Sequence, residues 1–146
     1  MKQQLFIPVR ITLLNWIITV LVGSFIYSLL DAYFTKSGDS FYQIAQFAGV
    51  AIVFSGIYSL PALVVMLLVN WRLNKRLISP QKYQVIHTIV QLILVAGSFS
   101  WLVLGNNGVT YVDLIYLLPL FVTYTGVTLI VWAITFSIYR PKDDAN

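Results

Sequence analysis

The chain alternates long apolar runs with short polar segments, and each run is long enough to cross a membrane as a helix. The runs cover approximately residues 11–33, 43–71, 84–104 and 111–138. About 20 apolar residues in an α-helix span a hydrocarbon core roughly 30 Å thick. Barrel strands would show alternating polarity over about ten residues, whereas these runs are continuously apolar. The pattern predicts an all-α membrane protein, with residues 1–146 forming a single four-helix transmembrane bundle.

Polar residues beside the runs predict how the helices begin and turn. Ser40 and Gln43 have the spacing of a capping box, in which each side chain bonds the backbone amide of the other residue. Ser79 followed by Pro80 is typical of an N-cap and a first helical residue. The segment Gly105–Gly108 is rich in residues that tolerate a tight turn.

Composition supports the membrane assignment and narrows the chemistry. Hydrophobic residues make up 59% of the chain and charged residues only 10%, against about 25% in soluble domains. There is no cysteine, which excludes disulfides and thiolate metal sites. With one histidine and few acids, we expect neither a bound metal nor a cofactor.

The basic residues predict the orientation. Eight of the nine lie at the end where the first run begins, in the segment between runs two and three, or after run four: Lys2, Arg10, Arg72, Lys75, Arg76, Lys82, Arg140 and Lys142. Only Lys36 falls on the other side. The positive-inside rule therefore predicts that both termini are cytoplasmic, in what we expect to be a bacterial inner membrane. The charges are too dispersed to predict a nucleic-acid site.

Aromatic residues near the ends of the runs predict an interfacial belt. Trp71, Tyr83 and Tyr139 lie near the expected cytoplasmic side, where an amphipathic ring settles at headgroup depth.

Similarities between the two halves of the chain suggest the hypothesis of a duplicated helical hairpin. Gly23–Tyr27 resembles Gly97–Trp101, and Phe54–Ile57 resembles Tyr124–Val127. Such repeats would be related by an axis along the membrane normal. Apolar sequences also match by chance, so both explanations stay open.

Two prolines lie inside the predicted helices. Pro61 has no amide hydrogen for the carbonyl of Ile57, and Pro119 has none for Ile115. Each is a candidate helix kink, and the freed carbonyl either lines a path or is satisfied by neighbouring groups.

Four polar residues are expected near the cytoplasmic face: Asn15, Asn70, His87 and Gln91. His87 and Gln91 are one turn apart and share a face of their helix. One hypothesis is a proton or solute relay through His87, whose side chain titrates near neutral pH in water. The alternative, which we favour, is a set of interhelical hydrogen bonds, each contributing about 0.6 kcal/mol.

Small and hydroxyl-bearing residues predict a packing seam, formed by Ala45, Gly49, Gly56, Thr128 and Thr135. Small residues four positions apart let helices approach closely in a membrane.

These features predict a small non-catalytic membrane protein, because no nucleophile, base and acid lie at one depth. We expect it to act through helix–helix contacts as an accessory, assembly or regulatory subunit. Its partners would be the lipid bilayer and another membrane protein, or a second copy of itself. The alternative is a small homo-oligomeric transporter or channel-like protein.

Overall fold

The computed structural model describes residues 7–35, 40–76, 79–104 and 111–139. These residues form four α-helices: α1 Val9–Thr35, α2 Phe41–Asn74, α3 Pro80–Leu104 and α4 Tyr111–Tyr139. Each helix is long and apolar enough to cross a membrane. The prediction of an all-helical chain with four such helices is confirmed. The predicted turn at Gly105–Gly108 lies outside the described residues.

Helix α2 is the longest element, with 34 residues. At a rise of 1.5 Å per residue it measures about 50 Å, which exceeds a hydrocarbon core of roughly 30 Å. Its start is defined by the predicted capping box. The Gln43 amide donates to Ser40 Oγ at 3.4 Å, and the Ser40 amide donates to Gln43 Oε1 at 2.8 Å.

The helices are arranged as a ring in which each contacts its two neighbours. Contacts join α1 to α2, α2 to α3, α3 to α4 and α4 to α1, and none joins the diagonal pairs within the described residues. Neighbours are antiparallel: on α1, Thr12 bonds Asn70 near one end, and Tyr27 packs on Phe47 near the other. We call the first of these the basic end, because it carries Arg10, Arg72, Lys75, Arg76 and Lys82.

The two halves of the ring differ in packing. In α1 and α4, 28% of the most apolar stretch is buried, whereas in α2 and α3 only 11% is buried. Large aliphatic side chains such as Val53, Val64 and Ile130 are exposed on the outside. An apolar exterior of this kind suits lipid rather than water. The α1–α4 pair is therefore the tight half of the molecule, and the α2–α3 side is the loose half.

The α1–α4 contact depends on a glycine. A Cβ atom built on Gly23 would lie 2.8 Å from the Tyr124 ring. The Tyr124 hydroxyl shares a hydrogen bond with the hydroxyl of Ser24, which is fully buried. The ring is thus held against the α1 backbone at a distance that only glycine permits.

An apolar cluster closes the basic end of the ring. Its buried members are Ile7, Leu73, Tyr83, Trp132 and Phe136. The cluster draws residues from all four described segments, so it fixes the helices together where the α2–α3 connection lies.

Candidate functional site

A hydrogen-bond network crosses the bundle at the basic end. Asn70 Nδ2 on α2 donates to Thr12 Oγ1 on α1 at 2.8 Å, and both residues are buried. The Tyr83 hydroxyl on α3 lies 3.3 Å from Asn70 Oδ1 and 3.1 Å from Asn74 Oδ1, and it can donate to either. Asn74 Nδ2 donates to the Ile7 carbonyl at 2.8 Å. The network links α1, α2 and α3 and satisfies polar groups that lipid would leave unpaired.

Tyr83 corrects the expected aromatic belt. Its side chain is fully buried rather than placed at headgroup depth, whereas Trp71 is exposed. The physical reason is the pair of asparagine oxygens on α2, which give the phenol an interior partner. The Tyr83 ring can therefore be buried while its hydroxyl remains hydrogen-bonded.

Asn15 makes a separate link. Its Nδ2 donates to Thr135 Oγ1 on α4 at 2.8 Å, and that hydroxyl donates to the Val131 carbonyl at 2.9 Å. Both Asn15 and Thr135 are buried. This bond joins the tight α1–α4 pair and does not involve Asn70.

His87 stands apart from both asparagines. It is fully buried, and neither ring nitrogen has a hydrogen-bond partner in the described part of the chain. The ring lies among aromatic side chains, with centroid distances of 3.9 Å to Trp132 and 5.1 Å to Phe136. Its contacts are those of an aromatic core residue, and an unpaired buried polar group costs about 1–3 kcal/mol.

Gln91 also has a side-chain atom without a hydrogen bond. Its Oε1 is buried and has no hydrogen-bond partner within the described residues. Gln91 lies level with Thr128, because His87 faces Trp132 toward the basic end and Phe99 faces Phe121 toward the other. Both Gln91 and Thr128 line a groove of about 530 Å³ between α3 and α4, where His87 also lies. The four predicted polar residues thus divide into two bonded asparagines and two residues with unpaired atoms.

A second space, a cavity of about 390 Å³, is lined by residues of all four helices. Its wall extends along α2 from Ala51 to Met66 and along α3 from Gln91 to Phe99. The cavity exists because the diagonal helices do not meet and because α2 and α3 pack loosely. Gln91 and Thr128 line this cavity as well as the groove.

Hydroxyl groups in the cavity wall are tied to the helices. Trp16 Nε1 on α1 donates to Ser59 Oγ at 2.9 Å, and Ser59 Oγ donates to the Ser55 carbonyl at 2.6 Å. Ser55 Oγ lies 3.1 Å from Ser24 Oγ, with either atom as the donor. These bonds join α2 to α1. The described residues provide no comparable hydrogen bond for Gln91 Oε1 on α3.

The candidate kinks lie away from this bonding. Both prolines are inside continuous helices. Pro61 is exposed and does not line the cavity. The carbonyl of Pro119 accepts a hydrogen bond from Thr123 Oγ1 at 2.7 Å.

The predicted packing seam separates into an inner and an outer part. Thr128 and Thr135 on α4 are buried. On α2, Ala45 and Gly49 are exposed, and a Cβ built on Gly49 or Gly56 would meet nothing within 4 Å. The α4 threonines therefore pack inside the molecule, while the small residues of α2 have open space beside them.

Sequence reasoning did not find the cavity or its Trp16–Ser59 link. The only signal for the link was a serine at a mid-helix position, which has many explanations in an apolar segment.

Comparison of the chain with protein-family models, with curated proteins and with solved structures gave no match. The function is therefore inferred from the geometry alone.

Proposed function

We propose that this chain is a small, non-catalytic integral membrane protein that acts through helix–helix contacts. Its role would be that of an accessory, assembly or regulatory subunit of a larger membrane complex. The observation that carries the proposal is the outward face of α2. We define this α2 face as Ala45, Gly49 and Gly56, which fall within about 40° of one another around the helix axis.

The α2 face has space that the described part of the chain does not fill. Beyond the backbone of α2 itself, no described atom lies within 4 Å of a Cβ built on Gly49 or Gly56. Glycine in a helix interior lowers stability by up to about 1 kcal/mol relative to alanine, so these glycines destabilise α2 without improving the packing that the structure describes. In lipid, helices associate by close packing at small residues. A second transmembrane helix seated on this face would use the space.

A neighbouring exposed side of α2 carries the carbonyl that loses its helical hydrogen bond to proline. Pro61 provides no amide hydrogen for the Ile57 carbonyl, and both residues are exposed. In hydrocarbon, an unsatisfied carbonyl costs several kcal/mol in the extreme case. A partner helix with a hydroxyl or amide side chain at this depth would offset that cost.

Charge favours a different protein over a second copy as the partner. Copies inserted in the same orientation and joined through α2 would bring their basic ends together. Arg72 and Lys75 on α2 are both exposed there, and Lys75 Nζ lies 3.8 Å from the centroid of the Trp71 ring. Like charges within a Debye length of about 8–10 Å repel. We expect the partner to carry acidic residues at the corresponding depth.

The membrane and the orientation belong to the same proposal. We place the basic end in the cytoplasm of a bacterium, with the chain in the inner membrane and both termini inside. The basic residues at one end of the described structure support this orientation. Duplication of a hairpin stays a sequence hypothesis, and the matched Gly23 and Gly97 have different surroundings, crowded at one and open at the other.

The decisive experiment is purification of the tagged chain from native membranes in mild detergent, with quantitative mass spectrometry. We expect a second membrane protein in stoichiometric amount. Gly49→Leu should lower its recovery by about tenfold, the equivalent of roughly 1.4 kcal/mol. Gly97→Leu is the matched control, because the same side chain is added on α3 where nothing lies within 4 Å. Equal loss with both variants, or recovery of the chain only with itself, would contradict the proposal.

The second candidate is a homo-oligomeric transporter or channel-like protein. The observation that favours it is the cavity, which all four helices line and which extends from Ala51 to Met66 on α2. A path through it would require the apolar cluster around Tyr83 and Trp132 to open. A pure homo-oligomer in the purification, with solute flux in reconstituted vesicles, would support this candidate over the first.

A further inference from the structure

The interior cavity has an entrance from the side. Its most exposed wall residues are Phe54 and Tyr58 on α2, with 58% and 41% of their surfaces exposed. Ser55 and Ser59 bond residues of α1. Phe54 and Tyr58 are each rotated about 100° from these serines, so they lie on the part of the wall that continues onto α3. The basic end is closed by the cluster around Tyr83, so the mouth lies between α2 and α3 and would open to the bilayer.

The wall selects against charge. None of the cavity-lining residues in the described part of the chain is acidic, basic or histidine. Transfer of an ionised group into such a site is very costly without a counter-charge. A neutral molecule that dissolves in lipid would meet these requirements.

The wall is rich in aromatic rings. The aromatic lining residues are Trp16, Phe54, Tyr58, Phe99, Tyr124 and Trp132. Ring faces and edges pack well against other rings. The volume of about 390 Å³ lies within the roughly 300–1,000 Å³ of small-molecule sites.

One polar side chain in the wall is incompletely bonded. Gln91, about midway along α3, lines the cavity, and its Oε1 is buried with no hydrogen-bond partner among the described residues. A lipid acyl chain cannot donate to it. A hydroxyl can donate its hydrogen to the amide oxygen, whereas an ether oxygen has no hydrogen to donate.

We propose that this cavity is a binding site for a neutral, lipid-soluble, ring-bearing alcohol, which enters between α2 and α3 and hydrogen-bonds Gln91. The ring packs among the aromatic residues, and an apolar tail extends toward the mouth at Phe54 and Tyr58. The site is independent of the proposed partner contact, because it lies inside the ring of helices and the α2 face lies outside.

The test uses photoaffinity labelling of the full chain in dioleoyl phosphatidylcholine vesicles. The probe is 4-nonylphenol with a diazirine in its alkyl chain. Labelled peptides should map to the cavity-lining parts of α2 and α3. Unlabelled 4-nonylphenol should compete at about three- to tenfold lower concentration than 4-nonylanisole, which has the same ring and tail without the hydroxyl hydrogen.

Two variants separate binding from general lipid contact. Gln91→Leu has nearly the same size without the amide, and it should bring the two competitors to equal potency. Ala62→Phe fills the cavity from the α2 wall and should reduce labelling there. Ala96→Phe, exposed on α3 and outside the cavity lining, is its control and should leave labelling unchanged.

Three results would overturn the site. One is labelling spread evenly over the lipid-facing residues. Another is equal competition by the phenol and its methyl ether in the unsubstituted chain, which would mean that no hydroxyl hydrogen is donated to Gln91. The third is a competition ratio that Gln91→Leu does not change. Loss of a partner protein would affect none of these readouts, so failure here is distinct from failure of the proposed function.

Discussion

The glycines of α1, α2 and α3 differ in how closely other residues pack against them, which gives them different roles. Gly23 is pressed against the Tyr124 ring, while no described atom outside their own helices lies within 4 Å of a Cβ added to Gly49 or Gly97. At the first position glycine allows two helices to meet, whereas at the others no described residue packs into the space that glycine leaves. The polar residues divide in the same way. Asn15 and Asn70 are bonded across helices, and His87 is buried with no hydrogen-bond partner among the residues that the structure describes.

At this scale we predict that Gly23→Ala destabilises the chain. The added methyl would overlap a ring that the Ser24 hydrogen bond keeps from turning. Overpacking costs about 1–3 kcal/mol, of which up to about 1 kcal/mol is returned by the better helix propensity of alanine. Unfolding by sodium dodecyl sulfate in mixed micelles measures the difference.

Gly97→Ala serves as the control for this substitution. It gains the same propensity without overlap, so its stability should be unchanged or higher by as much as about 1 kcal/mol. Equal shifts for the two variants would show that Gly23 and Tyr124 do not make the contact described.

Among the elements, α2 differs from the rest. It is the longest helix, it contains Pro61 in an exposed position, and it forms the largest share of the cavity wall. One side of α2 thus lines the cavity. Other sides face outward and carry the small residues and the Ile57 carbonyl. The tight α1–α4 pair provides the support against which α2 and α3 can remain loosely packed.

We predict that Pro61→Ala stabilises the isolated chain. Alanine restores an amide hydrogen for the Ile57 carbonyl, and proline in a helix interior is about 3 kcal/mol less favourable than alanine. The gain in thermal unfolding in detergent should correspond to about 1–3 kcal/mol. Leu60→Ala, which changes the exposed neighbour and keeps the backbone bonds, should give no such gain. An unchanged or lowered stability for Pro61→Ala would mean that the bend is needed for packing within the chain.

For the whole molecule, we predict the orientation in the membrane, with the basic end in the cytoplasm. The absence of cysteine makes this simple to measure, because every label reports an introduced residue. With both termini inside, Lys2→Cys and Asn146→Cys should react with a membrane-impermeant maleimide only after the cells are permeabilised. Ser37→Cys and Asn107→Cys should react in intact cells. The reverse pattern would refute the orientation.

Some of this protein is determined by local sequence alone. The four helices follow from continuous apolar runs, since a backbone in lipid must satisfy its own hydrogen bonds within each segment. The start of α2 follows from Ser40 and Gln43, which act over three residues. Such features need no knowledge of what the helix packs against.

Other features were decided by the tertiary structure. Whether a polar residue is paired depends on the rotation of its helix and on what the neighbouring helix offers at that depth. Nothing near Tyr83 in the sequence predicts that Asn70 and Asn74 supply its partners, or that His87 lies against Trp132. The cavity likewise arises from how far apart the four helices stand. In a chain where nearly every position is apolar, hydrophobic periodicity does not mark the inner face, so only packing determines which residues line the interior.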